Sequence, residues 1–386
     1  MTRTPWITAT PNPAPGGPGL GVTTIAWDAG TDDADVWVSQ NGAMESAFAG
    51  DGRGRQVADW IQWPFAYHFR LRARDTGAVL AEVRVSRDPL LPEIAARTVV
   101  ATVTEAHDPY ARDTELLFRS LRAFGGEMAR SRAIAYVVDQ VDDAFGERLE
   151  SLQVEVRVVP RVVGTHRTAN KLRMFEEPPD ADWLVALDND LVVARDFSAQ
   201  VFGEALGVCL IDDFRYDRDD WRHYQRQIGV EPQRQRSIAV RPVGGEPEIP
   251  MAFHGGVQIV PRDLVTTFGK AWRDGIARAP LDVSSPPEHG WSEHMARLIQ
   301  QSDQPSLTRG VFAAGIPWRM LPLAMNVPTH TEIHPALDPD HVVPYLIHHH
   351  HRRDAEGRVL PGSHARLNEE IYRINRVLFP ATGAGG

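Results

Sequence analysis

Two carboxylates spaced i and i+2 close an apolar run in Trp183-Leu184-Val185-Ala186-Leu187-Asp188-Asn189-Asp190. Ionised carboxylates inside a buried strand would be costly, so the strand is expected to end where the charges begin. Two hard oxygen donors there suit magnesium or manganese, which can bridge the oxygens of a diphosphate. The bland alternative is a polar strand-to-loop turn, because Asp and Asn favour turns. A second constellation is the internal run Tyr345-Leu346-Ile347-His348-His349-His350-His351. In an extended segment His348 and His350 share one face, His349 and His351 the other. Imidazole ligates manganese well and magnesium poorly. A solvated histidine run is the plain alternative. Arg352, Arg353 and Gly357 downstream fit a phosphate-facing loop.

The elements that must position these groups read as alternating strands and helices. Thr98 to Thr104 is a continuous β-branched run, as in a buried parallel strand. Helical spacing follows over Thr114 to Phe124. Ala133 to Asp139, Val154 to Val159 and Trp183 to Leu187 read as further strands. Asp143 to Leu152 and Ala169 to Glu176 read as helices between them. Such alternation predicts an α/β domain with a mainly parallel sheet and right-handed crossovers. Ligands of such sheets bind beyond the carboxyl ends of the strands. Asp212 to Pro250 reads as a loop-rich insertion. Gly256 to Val260 resumes a strand, Asp263 to Ala279 and Trp291 to Gln301 read as helices, and a last helix runs from His364 to Phe379.

Before Arg87 the pattern is different. Short alternating runs such as Asp35 to Ser39 and Tyr67 to Arg72, separated by turn residues, predict a small all-β sandwich. Its tryptophans, Trp6, Trp27, Trp37, Trp60 and Trp63, read as sandwich core, with a carbohydrate-binding face as the lesser reading. The expected domains are 1–88, a linker at 89–97, a catalytic domain at 98–352 and a helical extension at 353–386. The net charge of −10 argues against a broad nucleic-acid-binding surface. A metal ion would let an acidic protein hold an anionic nucleotide. The single cysteine, Cys209, sits in an apolar stretch and reads as a core residue. With no signal-like N-terminus and no apolar run long enough to span a bilayer, the expected location is the cytoplasm.

The run from Thr98 to Asp190 resembles the nucleotide-binding half of the GT-A fold glycosyltransferases, especially the retaining, glycogenin-like families. The matching residues are Thr102-Val103-Thr104-Glu105, Tyr110, Ser120, Asn170-Lys171-Leu172 and the DxD motif Asp188-Asn189-Asp190. Phe253 to Ile259 resembles the acceptor-side strand of that fold. Trp291-Ser292-Glu293-His294 resembles the helix that brings an acidic residue under the donor sugar. The resemblance spans roughly residues 97 to 352 and implies a metal-dependent enzyme, hexosyltransferase-like, that moves a sugar from a nucleotide-diphosphate-sugar donor to a glycan, lipid or small-molecule acceptor.

Carried over residue by residue, the resemblance implies that Asp188 contacts the ribose and the metal and that Asp190 binds the metal directly. It implies Thr102 and Glu105 near the nucleoside and Asp139 at the base. Lys171 would meet a phosphate or the donor sugar, or else be a helix-surface lysine. In these families a histidine after a C-terminal strand completes the metal site; here that is His348, with His350 second. An inverting enzyme would need a base, for which Glu293 is the candidate; a retaining one need not. His254 either lines the acceptor pocket or is a core histidine. Two other readings stand: a nucleotide-sugar-binding protein without catalysis, and a sugar-phosphate nucleotidyltransferase. The second usually carries a Gly-rich phosphate loop after the first strand, and Thr104-Glu105-Ala106-His107-Asp108 has none.

Overall fold

The computed structural model describes residues 4–380, apart from 16–19, 41–44, 62–64, 88–93, 163–166, 211–217, 229–252, 294, 297–298, 300–302 and 330–342. Its residues divide into two compact units, one within Met1–Glu93 and one beginning at Ile94.

The first unit is all-β. Strands β1 (Trp6–Thr10), β2 (Gly21–Asp28) and β5 (Arg53–Ile61) form one antiparallel sheet. Strands β3 (Ala34–Gln40), β4 (Ser46–Ala49), β6 (Tyr67–Ala73) and β7 (Val79–Val85) form another. Alternation sets the faces: Tyr67, Phe69 and Leu71 are buried, while His68, Arg70 and Arg72 between them are partly exposed. Side chains of both sheets, including Ile25, Trp27, Val36 and Phe69, share one core. Trp60 packs edge-on against Phe48 and Tyr67. Trp6 is exposed rather than core, and Trp63 lies outside the described residues.

In the second unit, strand β8 (Thr98–Thr104) leads to helix α1 (Tyr110–Phe124), strand β9 (Arg132–Val138), helix α2 (Asp143–Ser151) and strand β10 (Val154–Val159). Asp142 caps α2 by accepting from the Phe145 amide at 2.8 Å. A 3₁₀ turn at Arg167–Leu172 and the short helix α3 (Arg173–Glu176) precede β11 (Trp183–Leu187). Then follow β12 (Leu191–Val193), α4 (Ser198–Val201), β13 (Leu206–Leu210), α5 (Arg218–Gln227), β14 (Phe253–Pro261), α6 (Val265–Val283), α7 (Asp303–Ala313), β15 (Trp318–Met320), β16 (Val327–Pro328), β17 (Leu346–His348) and α8 (Ala365–Leu378).

Seven strands make one sheet, in the order β10-β9-β8-β11-β14-β13-β15. Neighbours are parallel except where β14 pairs β11 and β13, both antiparallel. The fold is thus α/β with a mainly parallel sheet. Strand order reverses between β8 and β11, which makes their carboxyl ends the expected ligand crevice. A smaller sheet, β12-β17-β16, lies apart. Its Val192, Ile347 and Val327 share a core with Leu116 of α1 and with Leu367, Ile371, Ile374 and Leu378 of α8. Those four recur at helical spacing on one face of α8.

Two sequence expectations need correction. Arg218–Gln227, inside the segment read as loop, is a helix; its mostly polar composition hid the pattern, and residues 229–250 lie outside the described residues. Asp303–Ala313, not anticipated, is also a helix, and Leu307 and Val311 of it are buried. Cys209 is buried in β13. No helix among the described residues is long and apolar enough to cross a membrane.

Candidate functional site

All five residues of β11 are buried, and a further carboxylate inside that run would be desolvated on both faces. The strand therefore ends at Asp188, whose amide still donates to the Gly256 carbonyl at 2.8 Å. Asn189 turns inward and donates through Nδ2 to Thr104 Oγ1 and to the Tyr110 carbonyl, both at 3.3 Å. That anchors the turn to β8 and the start of α1. The chain then enters β12, whose Leu191 is in register with His348 of β17. This pairing sets an imidazole beside Asp190, although the two residues are 158 apart in the chain.

His348 Nε2 lies 3.0 Å from Asp190 Oδ1, and Nδ1 lies 3.0 Å from Asn326 Oδ1. With Nδ1 engaged by Asn326, Nε2 is the nitrogen that faces Asp190: protonated, it donates to that carboxylate, and on losing its proton it is the nitrogen a metal would take. Asp188, Asp190 and His348 each offer a ligand atom within 4.8 Å of the others. Two cis ligands about 2.1 Å from one ion would be about 3 Å apart, so the donor set and its spacing fit a divalent cation.

A second group borders the first. Lys171 Nζ lies 2.6 Å from Asp188 Oδ1 and 2.6 Å from Asp303 Oδ2, and donates to the Gly255 carbonyl at 3.0 Å. It is a mostly buried lysine turned toward the cluster, not one on a helix surface. Asp303, the first residue of α7, is only 5% exposed. Space for these carboxylates comes from Gly255 and Gly256. A Cβ on Gly255 would overlap the Asp303 carboxylate, and one on Gly256 would lie 2.9 Å from Asp188 Oδ2 and 2.7 Å from His254 Cε1.

Charges in this cluster are strongly coupled. Burial, the largest influence, pushes the Asp188 carboxyl up against the pull of Lys171, and Asp190 and Asp303 add to it. Burial also opposes charge on Asp190, but His348, helped by His351 and His349, holds it well below the usual carboxylate range. For Asp303, Lys171 outweighs burial and lowers the pKa. Lys171 is raised in turn, because Asp188 and Asp303 overcome its desolvation. Two buried carboxylates, Asp190 and Asp303, and the partly exposed Asp188 converge on one ammonium and one imidazole, an arrangement with room for further positive charge.

The expected nucleoside residues flank the crevice. Glu105 follows β8 and accepts from Arg161 at 3.2 Å and Arg167 at 2.8 Å, and its Oε2 lies 2.8 Å from His107 Nε2. Burial would raise its carboxyl, but those hydrogen bonds hold it at about 2. Asp139 takes a positive φ of 68° just past β9 and is bonded to Arg161 at 3.1 Å. Tyr110 carries the Arg167 guanidinium over its ring, 3.8 Å from the centroid. Thr102 is completely buried within β8, so it does not face the opening of the crevice.

Several sequence expectations are corrected here. The histidine run is not extended: β17 ends at His348, and His350 and His351 adopt φ of 49° and 60°. Tight turning stacks the His350 ring on His348 at 3.8 Å and sends His349 into the interior. Burial drives the His349 imidazole down to about 3. Arg353 does not face a phosphate loop; it is paired with buried Asp113. Arg352 donates to the Thr329 and Pro361 carbonyls. Glu293 is exposed, whereas the acidic residue beside Lys171 and Asp188 is Asp303. His254 is a buried histidine whose Nδ1 accepts from the Gly256 amide at 2.9 Å, and its ring meets that of His348 edge-on at 5.2 Å. Sequence reasoning passed over Asp303, Asn326 and Asp113. For Asp303 one signal was present: Pro305 two residues on, as in a helix first turn.

No known family's sequence profile matches this chain, and no curated protein does. Solved structures do. The galactosyltransferase LgtC in complex with donor and acceptor sugar analogues is 13% identical, with 71% of this chain and 95% of that chain covered and a TM-score of 0.42. An active-site mutant of LgtC is 15% identical over 65% and 86%, with a TM-score of 0.38. Mouse xyloside xylosyltransferase 1 in its apo form is 12% identical over 65% and 97%, with a TM-score of 0.41. Likeness at this level assigns no role to any residue.

Proposed function

We propose that this protein is a metal-dependent glycosyltransferase of the GT-A type, with Asp188-Asn189-Asp190 as its DxD motif. The observation that carries the reading is the meeting of Asp188, Asp190 and His348 at the carboxyl end of β11, beside the reversal of strand order. The donor would be a nucleotide-diphosphate sugar, a hexose in the first instance, and manganese is favoured over magnesium because His348 supplies nitrogen. Asp188, Asp190 and His348 would hold such an ion, which would supply electrostatic stabilisation of a diphosphate leaving group.

The chain's own residues do the rest. Asp190 is held ionised by its histidine neighbours, as a ligand must be. His348 is fixed by Asn326. Lys171 and Asp303 form a charged pair that can exchange partners with sugar hydroxyls or phosphate oxygens. Glu105, Asp139 and Tyr110 surround the place for a nucleoside, with Arg161 and Arg167 pairing the carboxylates. In this reading residues 1–88 are an immunoglobulin- or fibronectin-like accessory domain, 98–352 the catalytic domain and 353–386 a helical extension, whose helix α8 packs on α1 and β12. A cytoplasmic location belongs to the same reading, with buried Cys209 consistent with it.

The test is incubation with manganese and a panel of nucleotide-diphosphate sugars, scoring release of the nucleotide diphosphate. Asp190→Asn keeps the volume of the side chain and removes a charged ligand. It is expected to abolish manganese-dependent release, and full activity in that variant defeats the proposal. Manganese-dependent binding of a donor without turnover, even with acceptors supplied, favours the non-catalytic binding protein instead.

A further inference from the structure

The histidine run does more than supply His348. Beyond β17 the left-handed backbone at His350 and His351 turns the chain back, so that His351 Nε2 lies 3.7 Å from Asp190 Oδ2. Its other nitrogen, Nδ1, lies 2.6 Å from Asp113 Oδ2. Asp113 stands in the first turn of α1, and it is completely buried. Its second oxygen faces Arg353 and lies 3.7 Å from Nε2 of the buried His349. A fully buried carboxylate on the core side of a helix is expensive, and His351 and Arg353 both gather on this one.

We propose that Asp113 and His351 are positioning residues for the metal ligand Asp190. This rests on the metal site proposed above. Asp113 takes the Nδ1 proton of His351 in a hydrogen bond and fixes the plane of its ring. Nε2 then faces one oxygen of Asp190 while His348 faces the other. The carboxylate is bracketed, and its orientation toward an ion is set before the ion arrives. At 3.7 Å the His351 approach is too long for a hydrogen bond, so it steers the carboxylate without occupying the lone pair an ion would use. Residues that hold a metal ligand in place from behind commonly matter this much: their loss costs about 10–100-fold in metal affinity.

A merely structural role is the competing account, in which Asp113 serves with Arg353 to staple the turn after β17 onto α1. The experiment is a manganese titration of the full-length chain, with free ion read by electron paramagnetic resonance, alongside a thermal melt in chelator. Asp113→Asn is expected to weaken manganese binding about 10–100-fold. Arg353→Gln, which leaves the Asp113–His351 contact in place, is expected to lower the melting temperature and leave manganese affinity unchanged. Wild-type affinity in Asp113→Asn overturns the inference, and so does an equal loss in both variants. Should Asp113→Asn fail to fold, His351→Gln carries the test: weakened manganese supports positioning, and undiminished affinity refutes it. Failure of the wild-type protein to bind manganese removes the metal reading itself, an outcome separate from these.

Discussion

Replacing Lys171 with methionine keeps the stem and removes the ammonium that lies 2.6 Å from both Asp188 and Asp303. Both carboxylates are then left in a desolvated cluster that also contains Asp190. Breaking a buried pair by deleting one partner costs about 3–5 kcal/mol. A second route gives a similar figure. One carboxyl can neutralise itself, and protonating an ordinary aspartate at pH 7 costs roughly three pK units, or about 4 kcal/mol. Lys171→Met should therefore lose about 4 kcal/mol in chelator at pH 7. Two conditions should return part of it. Manganese at about 100 times its dissociation constant adds about 2.7 kcal/mol by mass action, and the variant, with no ammonium to repel the ion, should gain more than wild type. Lowering the pH also helps, because the variant's folded state holds a carboxyl with a raised pKa and so binds more protons than its unfolded state. Each unit below pH 7 should narrow the gap by about 1.4 kcal/mol, until the pH approaches the unfolded aspartate's pKa of about 3.9 and both states are protonated. The assay is urea unfolding by circular dichroism, with chelator or with manganese, at pH 7 and pH 5. A gap that ignores both manganese and pH would refute the reasoning, as would a variant as stable as wild type in chelator.

Gly255→Ala adds a methyl group where the Asp303 carboxylate stands, and the strand backbone cannot yield easily. It should destabilise by about 1–3 kcal/mol and cut manganese-dependent donor turnover, although no charged residue is replaced; unaltered turnover would show that Asp303 can move away. Glu105→Gln tests the crevice on the β8 side. The shift from 4.5 to about 2 corresponds to about 3 kcal/mol, reduced to about 1–2 because Arg161 and Arg167 are nearly half exposed. A depressed carboxyl contributes fully above pH 4.5 and loses its contribution as pH falls toward 2, so urea midpoints of variant and wild type should differ at pH 7 and converge in acid.

The strands were the most legible part of this chain. Thr98–Thr104 and Trp183–Leu187 are continuous apolar or β-branched runs, and such runs have one good use, a strand buried on both faces; Val154–Val159 instead carries Glu155 and Arg157, as suits the edge of the sheet. Strand direction is not written in such a pattern, so nothing in Phe253–Pro261 announced that β14 runs antiparallel to β11. The Asp pair was legible because a carboxylate cannot continue a buried strand. Asp303 and Asp113 were not, because each sits among other polar residues and becomes special only when the fold buries it. The histidines failed in a different way. An assumed extended backbone gave a simple two-face rule, and two positive φ angles removed the rule while bringing His351 close to Asp190.

The pairing of β12 with β17 has a consequence in time. At about 5–20 residues per second, a ribosome takes roughly 8–30 s to pass from Asp190 to His348, 158 residues later. Throughout that interval Asp188 and Asp190 exist without their imidazole and without Asp303 for much of it. Lys171, made earlier, is the cation at hand for the nascent cluster. An ion that needs all three ligands can bind firmly only after the late strand has found its partner. Metal added during refolding should therefore leave early chain collapse alone and reward the last docking step.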